Sequence, residues 1–453
     1  MPATDATTIR DFDMSDSGDG PDDRVDIVGI GFGPANLSLA IAIEEHNQSL
    51  PAAERVRARF IEKHPDFGWH DGMLLPGATM QVSFLKDLVS LRNPTSTYSF
   101  LSYLHERGRL TDFINLKTFF PLRREFHDYL SWAAGRVSVP VSYGTTATAI
   151  DREDHRFVVS AHGGDGRPQR IAADTIVLGT GIHAVLPDGI SASTRVFHNH
   201  RLLAHLDQLP STSYNRFLVV GAGQSAAEVA AFLHDRFPDA EVHSSIRRFG
   251  YIPSDDTPYA NRIFDPAAVD EYYTAPPRLR EHLIRAHAST NYAAVDADLI
   301  EDLYRREYEE TLTRRRRLFL HKTTEIAELS EGPDGVSVTL RDLGDRGSVT
   351  LEVDAVVFAT GFRPGDPRDL LGAGIDVDDA FDGDQPVVAR DYSLCLPGLD
   401  GRVFLNGGVQ HSHGLTSSLL SNLSVRSAEI LAAAVRAPVP RSGPRLTPAV
   451  GAR

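Results

Sequence analysis

The sequence predicts an α/β chain with two parallel sheets and a small helical region, and three observations carry that prediction. "RVDIVGIGFGPANLSLAIAIEEH" (residues 24–46) sets a short apolar strand before a glycine-rich turn and an amphipathic helix. "NRFLVVGAGQSAAEVAAFLHDRFPDAEVHSSIRR" (215–248) repeats that order and adds a second strand. Two further apolar runs, "DTIVLGTG" (174–181) and "DAVVFATGF" (354–362), each stop at a glycine, as buried parallel strands do. The chain has 453 residues, too many for one ordinary core at about 100–200 residues per domain.

In the first unit the strand Val25–Val28 runs into Gly29-x-Gly31-x-x-Pro34. Such glycines permit a tight turn and a close backbone approach, so that a pyrophosphate can sit on the helix N-terminus. Gly33 adds freedom, and Pro34 replaces the usual third glycine at a first-turn position where proline is tolerated. The following strand, in "VRARFIEKHPDFGWH", ends at Glu62, placed to accept from a ribose hydroxyl. A glycine triplet by itself is also compatible with an ordinary turn; the strand, helix and acid around it favour a dinucleotide.

The second unit carries Gly221-x-Gly223-x-Ser225, and its second strand ends in Arg247-Arg248 instead of an acid. An acid there would repel a 2′-phosphate, whereas arginine attracts it, so this site is read as NADPH-binding and the first as FAD-binding. The alternative for Arg247-Arg248 is a solvated loop pair. The expected organisation is two Rossmann-like dinucleotide-binding domains, the second inserted in the first. It comprises an FAD-binding part at 25–185, an NADPH-binding domain at 186–363 and a returning FAD-binding part at 364–436. Residues 1–24, rich in Asp, and the Pro-rich 437–453 are expected to be disordered.

Composition excludes several classes. A formal charge of −15 argues against nucleic acid as partner, because counterion release needs a basic face. The single cysteine, Cys395, permits no intrachain disulfide and no zinc cluster, so no metal is expected and a reducing cytoplasm is. It also excludes a disulfide reductase, which needs a redox cysteine pair. No run approaches the roughly 18 apolar residues of a membrane span, and no signal peptide is evident at the N-terminus. The run Arg314–Arg317, with Glu309 and Glu310 nearby, reads as a solvated helix face rather than a polyanion site.

One lysine, Lys86, stands in "MQVSFLKDLVSLRNPTSTYSF" among mostly apolar or small neighbours. Sequestering an ammonium without an anionic partner is costly. The alternative is a snorkelling lysine whose head stays in water.

The chain resembles the N-hydroxylating flavin monooxygenases of siderophore biosynthesis, most closely the L-ornithine N5-monooxygenases. The resemblance rests on GIGFGPANL, WHDGM, MQVSFLKDLVSLRNPTS, DFINLKTFFPLRREFHDYLSW, VVGAGQSAAE, SDDTPYANRIF, STNYAAVD, ATGF and HGLTSSLLS, in family order over about residues 25–430. It implies that Lys86 clamps the carboxylate of an amino-acid substrate, with Asn261 and Asn291 beside it and Ser418, or its neighbour Ser417, on the wall nearest the reacting amine. Many members carry Asp where this chain has Ser417. Gln81 is implied to lie beside the flavin, Trp69 and His70 to contact it, and Arg123 to position the nicotinamide. Arg124 reads as a surface residue. Residues 252–318 are expected to form the helical substrate region, and several relatives are tetramers, so a homo-oligomer is implied.

The implied reaction is reduction of FAD by NADPH and combination with O2 as a C4a-hydroperoxide, whose distal oxygen passes to the side-chain amine of L-ornithine. The amine must be neutral to attack, although its ordinary pKa is about 10.4. Lysine and diamines such as putrescine are the nearest alternative substrates; a Baeyer–Villiger monooxygenase would share both glycine motifs without needing Lys86, Asn261 or Asn291.

Overall fold

The computed structural model describes residues 24–153, 156–209, 214–287, 294–396 and 402–436, with the backbone but not the side chain of Ser418. The stretches 1–23 and 437–453, expected to be disordered, lie outside the described residues.

The first sheet grows around the strand Arg24–Ile30, whose last four residues are buried. It pairs in parallel with Ala58–Ile61 on one side and Pro168–Leu178 on the other. Val141–Ser142 extends the sheet beyond Ala58–Ile61, and Arg402–Leu405 returns from the far end of the chain to lie parallel to Thr175–Leu178. The earlier part of Pro168–Leu178 instead carries an antiparallel meander with Arg156–Gly163 and Thr145–Glu153. Arg24, expected in the disordered lead, is paired in this sheet opposite Ala172, and its Nη2 meets Asp174 at 2.8 Å.

The second sheet repeats the plan. Its parallel order is Leu318–Lys322, Glu241–Ile246, Arg216–Val220, Ala355–Phe358, Val196–His198. An antiparallel meander of Thr324–Glu331, Val336–Asp342 and Ser348–Val353 packs Val336, Val338 and Leu340 onto Leu218 and Val356. The chain crosses to the second sheet through Ile182–Ala184 and comes back through Phe362–Pro364, and these two short strands pair antiparallel. We propose the division between the two dinucleotide units at this pair, beside residues 185 and 363.

The halves interlock. Met73 and Leu75, from the first, are buried in the core built on helix Gln224–Arg236 of the second. The first half keeps its own core, with helix Pro34–Gln48 and an aromatic cluster of Phe100, Tyr103, Phe126 and Tyr129.

Two expectations are corrected here. Helix Ala297–Thr313 is not part of a separate substrate region: it leads into the parallel strand Leu318–Lys322 and buries Leu303 in the second core. A parallel connection needs such a crossover; the other helices of this region among the described residues are Ala260–Phe264, Pro266–Thr274 and Pro277–Ala286. The arginine run is not a helix face, since the helix ends at Thr313 and Arg314 is left-handed at φ 55°. Arg315 and Arg316 pair with Asp239 and Glu307, and Arg317 packs against Glu310 and the His234 carbonyl. Among the described residues no helix is long and apolar enough to cross a membrane.

Candidate functional site

Both parallel sheets end on one cleft of ≈ 4630 Å³. A drug-sized ligand fills only about 300–1,000 Å³, so the cleft has room for several ligands at once. Open α/β sheets bind ligands at the carboxyl ends of their strands, where this cleft lies.

At the first glycine turn Gly31 has φ +83°, and a Cβ there would come within 2.4 Å of the Gly179 carbonyl. Helix Pro34–Gln48 follows with Gly33 at its N-cap, Pro34 inside it, no side-chain cap and no acid in its first turn. Its first N–H groups therefore stay available to an anion. Gly29 does not line the cleft: its missing Cβ makes room for the Phe60 ring, so its role is packing between neighbouring strands. Glu62 lines the cleft and accepts from Phe32 N at 2.7 Å and His64 N at 2.8 Å, which leaves lone pairs for a hydroxyl. These features fit the ribose and pyrophosphate of a dinucleotide.

The second turn is built alike. Gly221 has φ +145°, where a Cβ would meet the Ala359 carbonyl at 2.4 Å, and Gly223 caps helix Gln224–Arg236 without a side-chain bond or a first-turn acid. Gly221, Gly223 and Ser225 line the cleft. Arg247 does not: its side chain is 76% exposed and reaches Glu325 at 3.3 Å. A 2′-phosphate on this arginine would sit at the outer rim, beyond the cleft wall.

Between the turns, Trp69 and His70 line the cleft with their rings 4.6 Å apart and edge to face. His70 is left-handed at φ 57°. Its ring is accessible from the cleft, yet the protein packed around it, and then the nearby charge of Arg123, bring its pKa down to about 4. It is neutral at pH 7.

Lys86 is half-buried, with Nζ 5.8 Å from the centre of the Phe264 ring. Burial lowers its pKa and the charge of Asp265 opposes that shift. It makes no ion pair within 4 Å among the described residues. Asn261, three residues before Phe264, shares the cleft wall and donates Nδ2 to the Asp256 carbonyl at 2.7 Å. Asn291 lies outside the described residues, as does the side chain of Ser418. Ser417 lines the cleft, and its buried Oγ has no hydrogen-bond partner among the described residues.

The structure gives Arg123 a partner that the sequence did not suggest. Its two terminal nitrogens each donate to Glu228 at 2.8 Å, with further bonds to the carbonyls of Met73 at 3.1 Å and Thr79 at 3.4 Å. Its donors are thus directed first into the protein, where they link the two halves, and Arg123 also lines the cleft. Arg124 donates to the Leu74 carbonyl at 2.8 Å from an exposed position.

Gln81, expected beside the flavin, lines the cleft and donates Nε2 to Asp296 Oδ2 at 2.7 Å. Its partner Asp296, and Gln224, whose Nε2 bonds the same oxygen at 3.2 Å, were not singled out in the sequence. Arg426, 3% exposed, donates to Asn406 Oδ1 at 2.9 Å and to the Ser417 carbonyl at 2.6 Å. Asn406 in turn reaches Asn36 at 3.1 Å, and Asn36 donates to the Gly31 carbonyl at 2.7 Å. One string of bonds thus joins the first glycine turn to the wall at 414–418. Glu228 and Asp296 stand at the ends of VVGAGQSAAE and STNYAAVD, and a position beside a cleft motif was the only signal that could have marked them.

Comparison with known proteins places these features in context. Residues 23–364 match the family described as L-lysine 6-monooxygenase/L-ornithine 5-monooxygenase. An L-ornithine N(5)-monooxygenase of Burkholderia cepacia is 39% identical over 405 residues, covering 86% of this chain and 89% of its own. The ornithine N-hydroxylase of Kutzneria sp. 744, solved with reduced FAD, NADP+ and L-ornithine, superposes with a TM-score of 0.86 at 44% identity, over 91% of this chain and 99% of that one. An L-lysine 6-monooxygenase of Pseudomonas syringae superposes with a TM-score of 0.78 at 32% identity, over 91% and 100% of the two chains.

Proposed function

The chain belongs to the L-lysine 6-monooxygenase/L-ornithine 5-monooxygenase family, and from that premise we propose that it hydroxylates the side-chain amine of L-ornithine, using FAD, NADPH and O2. The observation that carries the choice of an amino acid is Lys86: a half-buried ammonium on the cleft wall without an ion pair among the described residues. Such a group calls for an anion, and a substrate carboxylate supplies one through a charge-assisted bond.

When bound, FAD reduced by NADPH supplies the activation of oxygen, chemistry that no side chain here provides. The protein binds and orients. The N-termini of helices Pro34–Gln48 and Gln224–Arg236 take the two pyrophosphates, Glu62 the ribose of FAD, and Arg247 the 2′-phosphate of NADPH at the rim. Trp69, neutral His70 and Gln81, which line the cleft between the two turns, would hold the flavin. Lys86 holds the substrate carboxylate, with Asn261 and Asn291 on its amino-acid end and Ser417 or Ser418 on the wall nearer the amine. The distance from Lys86 to the flavin then acts as a ruler. One methylene more, as in lysine, costs about 10- to 200-fold by itself, while a diamine leaves Lys86 without its carboxylate.

The proposal includes a cytoplasmic location, in keeping with a chain that has only one cysteine. It also includes a homo-oligomer, supported by Tyr304, Tyr308 and Leu312, exposed at helical spacing on Ala297–Thr313.

The test is hydroxylamine formation by the FAD-loaded protein with NADPH, offered L-ornithine, L-lysine and putrescine in parallel. Product mainly from L-ornithine is expected. Product mainly from putrescine would remove the carboxylate clamp, and no product from any amine would remove the reading.

A further inference from the structure

Asp296 stands at the N-cap of helix Ala297–Thr313, yet its side chain caps nothing. An N-cap carboxylate ordinarily accepts from the second or third helical N–H, a bond worth about 0.5–2 kcal/mol. Here Oδ2 turns away to receive Gln81 Nε2 at 2.7 Å and Gln224 Nε2 at 3.2 Å. Gln224 is held at both ends, since its Oε1 accepts from Asp296 N at 2.8 Å and its Nε2 also reaches Glu228 Oε1 at 3.0 Å. Glu228 carries the network on to Arg123. Gln81 and Arg123 belong to the first half of the chain and the other three to the second.

An ionised carboxylate only accepts hydrogen bonds. It therefore selects one of the two amide orientations of Gln81, with nitrogen toward Asp296 and oxygen toward the cleft.

We propose that Asp296 is a positioning residue: it fixes the side-chain amide of Gln81 so that its Oε1 is presented to the cleft as an acceptor for an N–H donor, and it ties that presentation to the docking of the second sheet on the first. The proposal rests on the N-hydroxylation reading for what the acceptor does. There the donors available are a flavin ring N–H and the amine to be hydroxylated.

The experiment uses the FAD-loaded full chain and measures hydroxylamine formed per NADPH consumed, relative to the unsubstituted protein at each pH. Asp296→Ala frees the amide, so the ratio falls about 2- to 10-fold, the size of one hydrogen bond. Gln81→Glu sets two carboxyl groups against each other. They share one proton at low pH and lose it as pH rises, so the relative ratio falls toward alkaline pH. Gln81→Glu with Asp296→Asn exchanges amide and acid; it restores a donor–acceptor pair, and the relative pH dependence disappears.

Two arms separate the donors. A change in the visible circular dichroism of bound FAD without substrate points to the flavin N–H, and a changed ornithine KM with an unchanged flavin spectrum points to the amine. A double-mutant cycle of Gln81→Ala and Asp296→Ala in thermal unfolding reads the contact without turnover, so the clamp can be judged even where ornithine proves to be the wrong substrate. The proposal is overturned by a zero coupling in that cycle, by an unchanged ratio in Asp296→Ala, or by a Gln81→Glu pH profile identical to that of the exchanged pair.

Discussion

Arg123 and Glu228, 105 residues apart, meet through two parallel guanidinium–carboxylate bonds of 2.8 Å, and both residues are buried at 9% and 7% exposure. They join helix Arg123–Ala134 of the first half to helix Gln224–Arg236 of the second. Breaking a buried pair on one side leaves an uncompensated charge and costs about 3–5 kcal/mol. Glu228→Ala is therefore expected to lower the unfolding free energy by that amount, and Arg123→Ala/Glu228→Ala by clearly less than the two single changes combined. Denaturant unfolding of the four proteins checks it; strict additivity would show that the pair carries no coupling.

Lys86 gives the second prediction. Removing a charged hydrogen bond of about 1.5–3 kcal/mol corresponds to roughly 10- to 100-fold in binding. Lys86→Ala should raise the ornithine KM by that factor and leave putrescine turnover and NADPH oxidation measurable. Because burial lowers the pKa of this ammonium, ornithine affinity in the unsubstituted protein should also weaken on the alkaline side before an ordinary lysine would titrate. Steady-state kinetics across pH test both; an unchanged ornithine KM in the variant removes the clamp.

Arg247 lies at the rim, 76% exposed and 3.3 Å from Glu325. For Arg247→Ala the expected outcome is a roughly tenfold loss of preference for NADPH over NADH, the lower end for a bond between charged groups. The loss should fall on NADPH alone. Equal losses with the two nucleotides would return Arg247 to a solvated loop residue.

Acid should destabilise the fold through its buried histidines. His198 and His413 are 3% and 1% exposed, and burial pushes each pKa down to about 4. An unfolded histidine titrates near pH ~6.5. Between these values the unfolded chain binds the protons, so stability is complete above about pH 6.5 and is lost as pH falls toward 4, by up to about 3 kcal/mol for each group. In His198 burial, and then the nearby charge of His200, keep the ring neutral against the opposing effect of its Nε2 donation to the Gly361 carbonyl at 3.0 Å, while Nδ1 accepts from His200 N at 3.3 Å. Thermal unfolding from pH 7 to 4 should show the fall, with a shallower slope in His198→Asn. A slope identical in the variant would place the acid sensitivity elsewhere.

What the sequence by itself determined is what neighbours along the chain can enforce. Both glycine turns were legible because strand, turn and helix are consecutive, and Gly31 and Gly221 need positive φ whatever packs around them. The apolar runs 174–181 and 354–362 were legible as buried strands for the same local reason, and they lie in the parallel strands Pro168–Leu178 and Ala355–Phe358. Lys86 stood out because an ammonium among apolar neighbours is an anomaly within one segment. The tertiary structure decided everything that depends on how the two sheets face each other. An amphipathic helix has the same pattern whichever core it covers, so the sequence alone does not tell that Ala297–Thr313 buries Leu303 in the second core. Polar pairing between the two halves is likewise set by their docking: Arg123 with Glu228, and Gln81 with Asp296 across 215 residues, are contacts between segments whose local sequence is unaware of the other. The chemistry is written in short motifs, while the partners that hold its side chains in place are chosen by packing.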